Sequence, residues 1–303
     1  MRARLLALFV ALASVLALAA PAAAIKGGVP DAGAHPYVGQ LLFFDPTAED
    51  SRFNDPGGWF NCTGTLVSPT VVVTAGHCTF GTGTNGEPTA GGSGGNDVWI
   101  SFAEAPDYSI LPPSSTFVPD GNEARYDAWS AALNASTEWI RATAFPHPLY
   151  DDNAFVGHDL GVLRLSEPVN LPEYGQLPTE GLLDRLARRS PQRRYTAVGY
   201  GLEGSGPKTS FGGDTRRKAE LRLVNLKGAL GFGKGTSAKF SSNANTGGTC
   251  FGDSGGPIFV GGTSTLVGVI SFGTSSTCAG TSGVYRIDQR DDLDFLATFG
   301  VTP

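Results

Sequence analysis

Ser254 stands in a segment whose residues suit nucleophilic catalysis. Residues 252–257 read Gly-Asp-Ser-Gly-Gly-Pro, so few bulky side chains surround it in the sequence. Such neighbours leave the Ser254 hydroxyl accessible, and they let backbone N–H groups turn toward one point, as stabilisation of an oxyanion requires. Because a serine hydroxyl is a poor nucleophile until a base removes its proton, the segment predicts a histidine nearby in the fold.

The positions of the histidines argue against one class of serine hydrolase. Residues 252–256 also fit the G-x-S-x-G pattern of α/β-hydrolases, in which the catalytic histidine follows the serine in the sequence. All four histidines precede Ser254, so the esterase or lipase interpretation is disfavoured and an upstream base is required. Three of them are interpreted as loop or surface residues: His35, His147 and His158.

His77 and Asp159 best supply a base and an orienting acid. His77 follows the apolar residues 71–73 and precedes Cys78, which predicts a strand end held by a cross-link. Asp159 begins an apolar run that ends at Leu165. Its carboxylate is therefore expected at the edge of a buried strand, where it can hold one tautomer of an imidazole.

Glycine-rich stretches create matches to a nucleotide-binding pattern. Glycine supplies 42 of the 303 residues, and G-x-G-x-x-G occurs at residues 81–86 and 199–204. Neither match opens a predicted helix, so neither offers the N–H groups and helix dipole that bind a pyrophosphate. Both matches are therefore interpreted as loops. No cofactor is expected, and no residue is assigned to a metal site.

The first 24 residues have the pattern of a secretory signal. Arg2 and Arg4 precede an apolar run over residues 5–20, and Ala22 and Ala24 form an A-x-A cleavage site. A membrane anchor is the alternative, because the run nearly reaches spanning length. Export would permit disulfide bonds, and four cysteines allow three pairings.

Composition and patterning favour a chain of short strands. A net charge of -6 argues against a nucleic-acid-binding surface, which would carry an excess of basic residues. Only residues 182–189 and 291–299 have clear helical character. Segments rich in β-branched and aromatic residues recur at 37–44, 63–75, 97–102, 160–165, 195–200, 219–226, 257–260 and 266–271. This spacing predicts an antiparallel all-β sandwich or barrel.

Several segments together closely resemble the trypsin/chymotrypsin family of secreted serine endopeptidases. The matching segments keep the family order His, Asp, Ser, and they are residues 74–78, 159–165 and 252–257, with shorter similarities at 147–150, 271–273 and 283–285. The resemblance implies an all-β fold of two six-stranded antiparallel barrels with a short C-terminal helix. After removal of residues 1–24, residues 25–175 would form the barrel carrying His and Asp, and residues 176–303 the barrel carrying Ser.

The resemblance also implies roles for individual residues. Ser254 would be the nucleophile, His77 the general base and Asp159 its orienting acid. The backbone N–H groups of Gly252 and Ser254 would bind the oxyanion. The implied disulfides join cysteines that are neighbours in the sequence: Cys62 with Cys78, and Cys250 with Cys278.

The segment that begins at Ile25 resembles the activated N-terminus of this family. Residues 25–28 read Ile-Lys-Gly-Gly, and in the family the aspartate before the nucleophile, here Asp253, pairs with a free terminal amine. A buried ammonium needs such a partner. Ala24 stands where a typical zymogen has Arg or Lys. We therefore expect removal of the signal to create the activating N-terminus, although Lys26 departs from the usual apolar second residue.

The resemblance places the primary specificity pocket at Gly248. Trypsin-like enzymes carry a carboxylate at this position, whereas Gly248 has no side chain and Thr249 offers only a hydroxyl. Gly273 and Gly283 would form open walls, and the backbone of Ser271, Phe272 and Gly273 would bind an extended substrate. An open, uncharged pocket rewards the burial of apolar surface. We therefore expect cleavage after Phe, Tyr, Leu or Met.

The sequence as a whole predicts an extracellular, monomeric serine endopeptidase. Its expected partners are protein or peptide substrates and protein inhibitors of proteases, with no nucleic acid and no membrane bound to the mature chain. The alternative is a catalytically silent homologue that acts as a binding module. The presence of His77, Asp159 and Ser254 together disfavours that alternative.

Overall fold

The computed structural model describes residues 25–83, 94–154, 156–206, 209–228, 235–243 and 247–303. The predicted signal, residues 1–24, lies outside these ranges. In the described part, no helix is long and apolar enough to cross a membrane. The strands there are β1 Val29–Pro30, β2 Val38–Asp45, β3 Gly58–Ser68, β4 Val71–Thr74, β5 Val98–Ser101, β6 Ile140–Pro146, β7 Gly161–Leu165, β8 Arg194–Gly199, β9 Gly204–Ser205, β10 Ser210–Phe211, β11 Arg217–Asn225, β12 Ser237–Ser242, β13 Pro257–Val260, β14 Leu266–Gly273 and β15 Gly280–Arg286. The α-helices are α1 Asn122–Ala135, α2 Leu182–Arg189 and α3 Arg290–Ala297.

Strands β2 to β7 close into a first antiparallel barrel, in the order β2-β3-β4-β7-β6-β5. Its interior is filled by β-branched and other apolar side chains, because such residues pack well on a pleated surface. All four residues of β4 are buried, and they pair with β7 from Val71 opposite Arg164 to Thr74 opposite Gly161. This register places the residues after β4 beside those before β7.

The second barrel consists of β8 and β11 to β15. Its neighbours run in the order β11-β12-β15-β14-β13-β8, and pairing of β11 with β8 closes the ring. Strand β1 pairs with the first two residues of β11, Arg217 and Lys218. Two closed six-stranded antiparallel barrels, with helix α3 near the C-terminus, confirm the predicted fold.

The predicted strand over residues 63–75 is two strands in the structure. Strand β3 ends at Ser68, and β4 begins at Val71 after a turn at Pro69 and Thr70. Proline has no N–H group to continue the ladder, so the chain reverses there. The predicted segments did not include the two-residue strands β1, β9 and β10 or the longer strands β6, β12 and β15. The last two contain Ser, Gly or Lys at several positions, and pairing with each other decides their conformation.

Residues 104–136 contain a helix that the sequence did not reveal. Helix α1 buries Asn122, Arg125 and Leu133, so it presents no apolar stripe of helical period. Its first turn is held instead by the Asp55 carboxylate, which accepts hydrogen bonds from the Asn122 and Glu123 N–H groups at 2.7 and 2.9 Å. A carboxylate at this position satisfies N–H groups that have no partner within the helix.

A separate apolar cluster joins α1 to the outside of the first barrel. Leu133 is fully buried there beside Leu42, Trp99, Leu111 and Trp139. The other two tryptophans, Trp59 and Trp129, pack against the same cluster with their rings 5.2 Å apart. The cluster therefore holds all four tryptophans of the chain.

Substitution of Leu133 by Ala should lower the free energy of unfolding by about 2–5 kcal/mol, because it leaves a cavity among large side chains. Urea unfolding followed by far-UV circular dichroism would measure the change. The matched control is Val118→Ala, which also lies within residues 104–136. Its side chain is 46% exposed, and a change within about 0.5 kcal/mol is expected. Equal losses in both variants would contradict this account of the cluster.

Candidate active site

His77 and Asp159 meet at the ends of the paired strands β4 and β7. His77 lies in a short 3₁₀ turn, Gly76–Cys78, that follows β4, and Asp159 lies just before β7. The Asp159 carboxylate accepts a hydrogen bond from the His77 backbone N–H at 2.9 Å. Its two oxygens lie 3.1 and 3.0 Å from Nδ1 of the same ring. The structure thus brings these two predicted residues into direct contact.

The electrostatic surroundings of His77 favour its protonated form. Burial lowers the pKa of the ring, but the charge and hydrogen bonding of the Asp159 carboxylate, together with the charge of Asp152, raise it, and the net pKa lies above its ordinary value. Asp159 is fully buried. With Nδ1 directed at Asp159, Nε2 is the nitrogen left to exchange a proton with a substrate or nucleophile.

A hydrogen bond from the second barrel also holds the Asp159 carboxylate in place. The Ser271 hydroxyl, from β14 of the second barrel, donates to Oδ2 of Asp159 at 2.5 Å. Ser271 was predicted only as a backbone contact for substrate, so this side-chain role was missed. No sequence pattern could have shown it, because 112 residues separate the two positions and only the fold brings them together.

The loop that carries Ser254 packs against the first barrel next to His77. The Thr63 N–H donates to the Ser254 carbonyl at 2.7 Å. Gly255 has a positive φ of 77°, and a Cβ there would lie 2.0 Å from the Thr74 hydroxyl oxygen. Ser254 and His77 are not hydrogen-bonded to each other in this structure, which is common before a substrate tightens a catalytic contact.

Two N–H groups of this loop are aimed away from the protein's own acceptors. The Phe251 carbonyl accepts a bond from Leu202 N–H at 2.7 Å, so the Gly252 N–H of the same peptide plane points the opposite way. The Asp253 carbonyl accepts from Gly256 N–H at 2.9 Å, which turns the Ser254 N–H outward in the same manner. Within the described part of the chain, neither N–H donates a hydrogen bond. Such a pair suits the binding of an oxyanion.

Both predicted disulfides are present. Cys62 is bonded to Cys78, the residue after His77, and Cys250 is bonded to Cys278. The first fixes the turn that carries His77 to strand β3. The second joins the loop before Ser254 to the loop after β14.

A pocket of about 520 Å³ opens beside Ser254. Four residues predicted to bind substrate line it: Thr249, Ser271, Phe272 and Gly273. The remaining lining residues are also uncharged, and they are Cys250, Phe251, Ser254, Ile270, Thr274, Ser275, Ser276 and Cys278. Among the residues that the structure describes, no carboxylate belongs to this lining.

Gly248 and Gly283 lie outside the lining of this pocket, which differs from the expectation. A Cβ on Gly248 would be 1.7 Å from the Ser242 hydroxyl oxygen, so Ser242 occupies the space next to it. The Phe272 ring covers Gly283, where a Cβ would lie 2.4 Å from the ring. At each position, the missing side chain allows a neighbouring side chain, Ser242 or Phe272, to pack directly against the glycine backbone.

Asp253 is a fully buried carboxylate whose bonds come from the backbone. Gly201 N–H and Cys250 N–H each donate to it at 2.8 Å. Burial raises its pKa to about 7, against the lowering effect of these two bonds. Ile25 is also fully buried, in the core of the second barrel, and is not bonded to Asp253 in this structure. Gly248 N–H anchors the adjacent Lys26 carbonyl at 2.9 Å.

A second His–Asp pair lies at a larger cavity of about 790 Å³, between the N-terminal segment and the second barrel. His35 Nδ1 is 2.5 Å from Oδ1 of Asp31, a contact that was not foreseen for this predicted loop residue. Asp31 also accepts a bond from Arg216 Nε at 3.1 Å. Burial acts to raise the pKa of Asp31, but its partners, with His35 foremost, lower it to about 2. Asp31 and Arg216 thus form a buried ion pair, which attaches the N-terminal segment to the rest of the protein.

Among the described residues, a group outside the Ser254 region also has metal-ligand chemistry. His147, Asp291 and Asp292 place one ligand atom each within 4.8 Å of one another. Protein partners already engage two of them: Leu149 N–H donates to His147 Nδ1 at 3.2 Å, and the Tyr285 hydroxyl donates to Asp292 at 2.9 Å. His158, predicted to be a surface residue, stacks on His147 with ring centres 5.0 Å apart.

Comparison with known proteins identifies the family of the chain. The family model described as Trypsin matches residues 128–289, more than half of the chain. Trypsin of Simulium vittatum is 27% identical over 235 residues, which cover 75% of this chain and 76% of that protein. Trypsin iota of Drosophila melanogaster is 32% identical over 145 residues, covering 44% of this chain and 52% of that protein.

Solved structures share the fold at lower identity. The HL collagenase structure has a TM-score of 0.62 and 16% identity, and the match covers 92% of this chain and all of that one. An inactivated protease paralogue of the scabies mite has a TM-score of 0.60, 17% identity and the same coverage. From the family match and these relatives, we conclude that the chain belongs to the trypsin family of serine proteases.

Proposed function

We propose that this protein is a secreted serine endopeptidase in which Ser254 is the nucleophile, His77 the general base and Asp159 its orienting acid. The observation that carries the proposal is the contact between His77 Nδ1 and the buried Asp159 carboxylate, next to the Ser254 loop. Membership of the family implies peptide substrates. Cleavage of the first 24 residues during export, and action as an extracellular monomer open to protein inhibitors, belong to the same proposal.

The proposed reaction passes through an acyl-enzyme. Ser254 Oγ attacks the carbonyl carbon of the scissile peptide while His77 Nε2 takes the hydroxyl proton. The Gly252 and Ser254 N–H groups bind the carbonyl oxygen as it becomes negative. His77 then gives its proton to the leaving amine as the peptide C–N bond breaks. Water, activated by the same ring, hydrolyses the ester and restores Ser254.

Asp159 contributes by stabilising the charge that forms on His77. Its carboxylate holds Nδ1 protonated, so that Nε2 can accept the serine proton, and it stabilises the imidazolium that results. The Ser271 bond and the His77 N–H bond keep the carboxylate in place without neutralising it. A catalytically silent homologue is the alternative, as among inactivated paralogues of this fold. The intact contact between His77 and Asp159 supports the enzyme instead.

A serine-directed covalent inhibitor, such as a fluorophosphonate, should label Ser254 in the processed protein, because the activated hydroxyl reacts at phosphorus. Mass spectrometry of the labelled peptide would identify the site. Substitution Ser254→Ala should abolish labelling and lower kcat/KM by at least about 10⁴-fold, whereas exposed Ser166→Ala should change neither. Processed protein that takes no label at Ser254 would favour the silent homologue.

We also propose that the uncharged pocket beside Ser254 selects large apolar or aromatic side chains before the scissile bond. Its described lining residues include no carboxylate that could pair with Arg or Lys. Matched peptides that differ only in this residue should be cleaved with higher kcat/KM for Phe, Tyr, Leu or Met than for Arg or Lys. A library profile measures this order, and a preference for Arg or Lys would show the assignment to be wrong.

The activating N-terminus is proposed to be Ile25, released by the export cleavage itself. A free amine there would give the buried Asp253 carboxylate the cation that it lacks when the chain continues upstream, and its pKa would fall below about 7. N-terminal sequencing of the secreted, active protein should therefore begin Ile-Lys-Gly-Gly.

The control for this prediction is a pair of aspartate substitutions. Asp253→Asn should reduce kcat/KM by about 100-fold or more, because a buried ammonium would lose its partner. Exposed Asp294→Asn, on α3, should leave activity unchanged. A different N-terminus on fully active protein would overturn the proposed route of activation.

A further inference from the structure

Thr63 of strand β3 is fully buried, and two of its hydrogen bonds connect the first barrel to the Ser254 loop. Its N–H donates to the Ser254 carbonyl at 2.7 Å, and its hydroxyl donates to the Gly252 carbonyl at 3.0 Å. The same hydroxyl accepts the Tyr200 N–H at 3.3 Å. The Thr63 carbonyl accepts the Thr74 hydroxyl at 2.8 Å.

The two bonds to the loop fix two peptide planes, one between Gly252 and Asp253 and one between Ser254 and Gly255. The Gly252 carbonyl points at Thr63, while the Asp253 N–H in the same plane donates to the Cys250 carbonyl at 3.1 Å. Gly252 adopts a φ of 95°, in a region of backbone space that glycine enters and leaves easily. A rotation there would turn its N–H away from the place where an oxyanion forms. Among the described residues, only the Thr63 hydroxyl bonds the Gly252 carbonyl.

Thr63 also shares the segment that holds the base. It follows Cys62, whose disulfide partner Cys78 is next to His77. One short stretch of β3 therefore holds the serine loop by hydrogen bonds and the histidine turn by a covalent bond. The nucleophile and base are carried by different barrels, so such a connection limits how far they can move apart.

We propose that the Thr63 hydroxyl is a positioning group for the oxyanion hole. It acts through the Gly252 carbonyl and does not touch the substrate. The inference rests on the proposed function, because it concerns the N–H groups assigned to oxyanion binding. Pre-aligned donors stabilise the transition state more than the bound substrate, so loss of the alignment lowers kcat and leaves KM nearly unchanged.

Two substitutions of Thr63 distinguish the effect of its hydroxyl from the effect of its shape. Valine has the shape of threonine but replaces the hydroxyl by a methyl, so Thr63→Val leaves the Gly252 carbonyl and the Tyr200 N–H without this partner. Serine keeps the hydroxyl, so Thr63→Ser should restore the bond. A purely space-filling role would instead favour valine over serine, because serine leaves a small void.

The experiment compares wild type, Thr63→Val and Thr63→Ser on one peptide amide substrate. Rates are expressed per Ser254 titrated with the fluorophosphonate, so that only competent molecules count. Thr63→Val should lower kcat about tenfold with KM within twofold, and Thr63→Ser should stay within about threefold of wild type. A peptide aldehyde, which forms a tetrahedral adduct, should bind Thr63→Val about tenfold more weakly, while a substrate-like product peptide binds equally well.

The outcomes separate this inference from the proposed function. Wild type that takes no label at Ser254 would refute the function itself. Labelled wild type with an unchanged kcat in Thr63→Val, or with Thr63→Ser as slow as Thr63→Val, would overturn the role of the hydroxyl. If Thr63→Val does not fold, Thr63→Ala takes its place with the same expected loss, and an unchanged kcat there would also overturn the role.

Discussion

At Gly255 the loop that carries the nucleophilic serine touches the first barrel so closely that no side chain fits between them. A Cβ at this position would approach the Thr74 hydroxyl, the Thr63 carbonyl and the Ala75 N–H at 2.0 to 2.8 Å. Backbone of one barrel therefore rests on backbone of the other. Such a contact is stiff, because it involves few rotatable side chains and is bounded by hydrogen bonds. The relative position of the two halves of the site depends on it.

Hydrogen bonds from Ser271 and Thr63 extend this contact to the catalytic groups. Ser271 from the second barrel bonds to Asp159 of the first, and Thr63 from the first barrel bonds to the serine loop of the second. Neither disulfide crosses between barrels, since Cys62–Cys78 lies in the first and Cys250–Cys278 in the second. The alignment of base and nucleophile is thus maintained by packing and hydrogen bonding, with each disulfide stiffening its own side.

The sequence predicted the parts of this molecule that depend on local chemistry. The apolar runs of β4 and β7 identified strands that carry His77 and Asp159 at their ends, and strand β13 and helix α2 lie at the predicted residues. Residues whose conformation depends on distant partners were missed. Helix α1 is stabilised by Asp55, which lies 67 residues away from Asn122, and no local pattern records that contact.

The glycines of the candidate site are a second case in which the sequence alone did not predict the contacts made in the fold. Gly248 was expected at the bottom of the pocket and Gly283 in its open wall, since a small residue in a pocket sequence suggests space. In the structure their empty positions are occupied by Ser242 and by the Phe272 ring, which come from elsewhere in the second barrel. The absence of a side chain can serve a ligand or a neighbouring residue equally well. Only the three-dimensional neighbours distinguish these two uses.

The placement of the tryptophans gives the two barrels different optical properties. All four indoles belong to the cluster on the outside of the first barrel, and the second barrel contains none. Tryptophan fluorescence therefore reports on the first barrel and helix α1, whereas the amide signal of circular dichroism averages over both barrels. If the barrels unfold separately, the two signals will have different midpoints, and the natural chain distinguishes the halves without an added label.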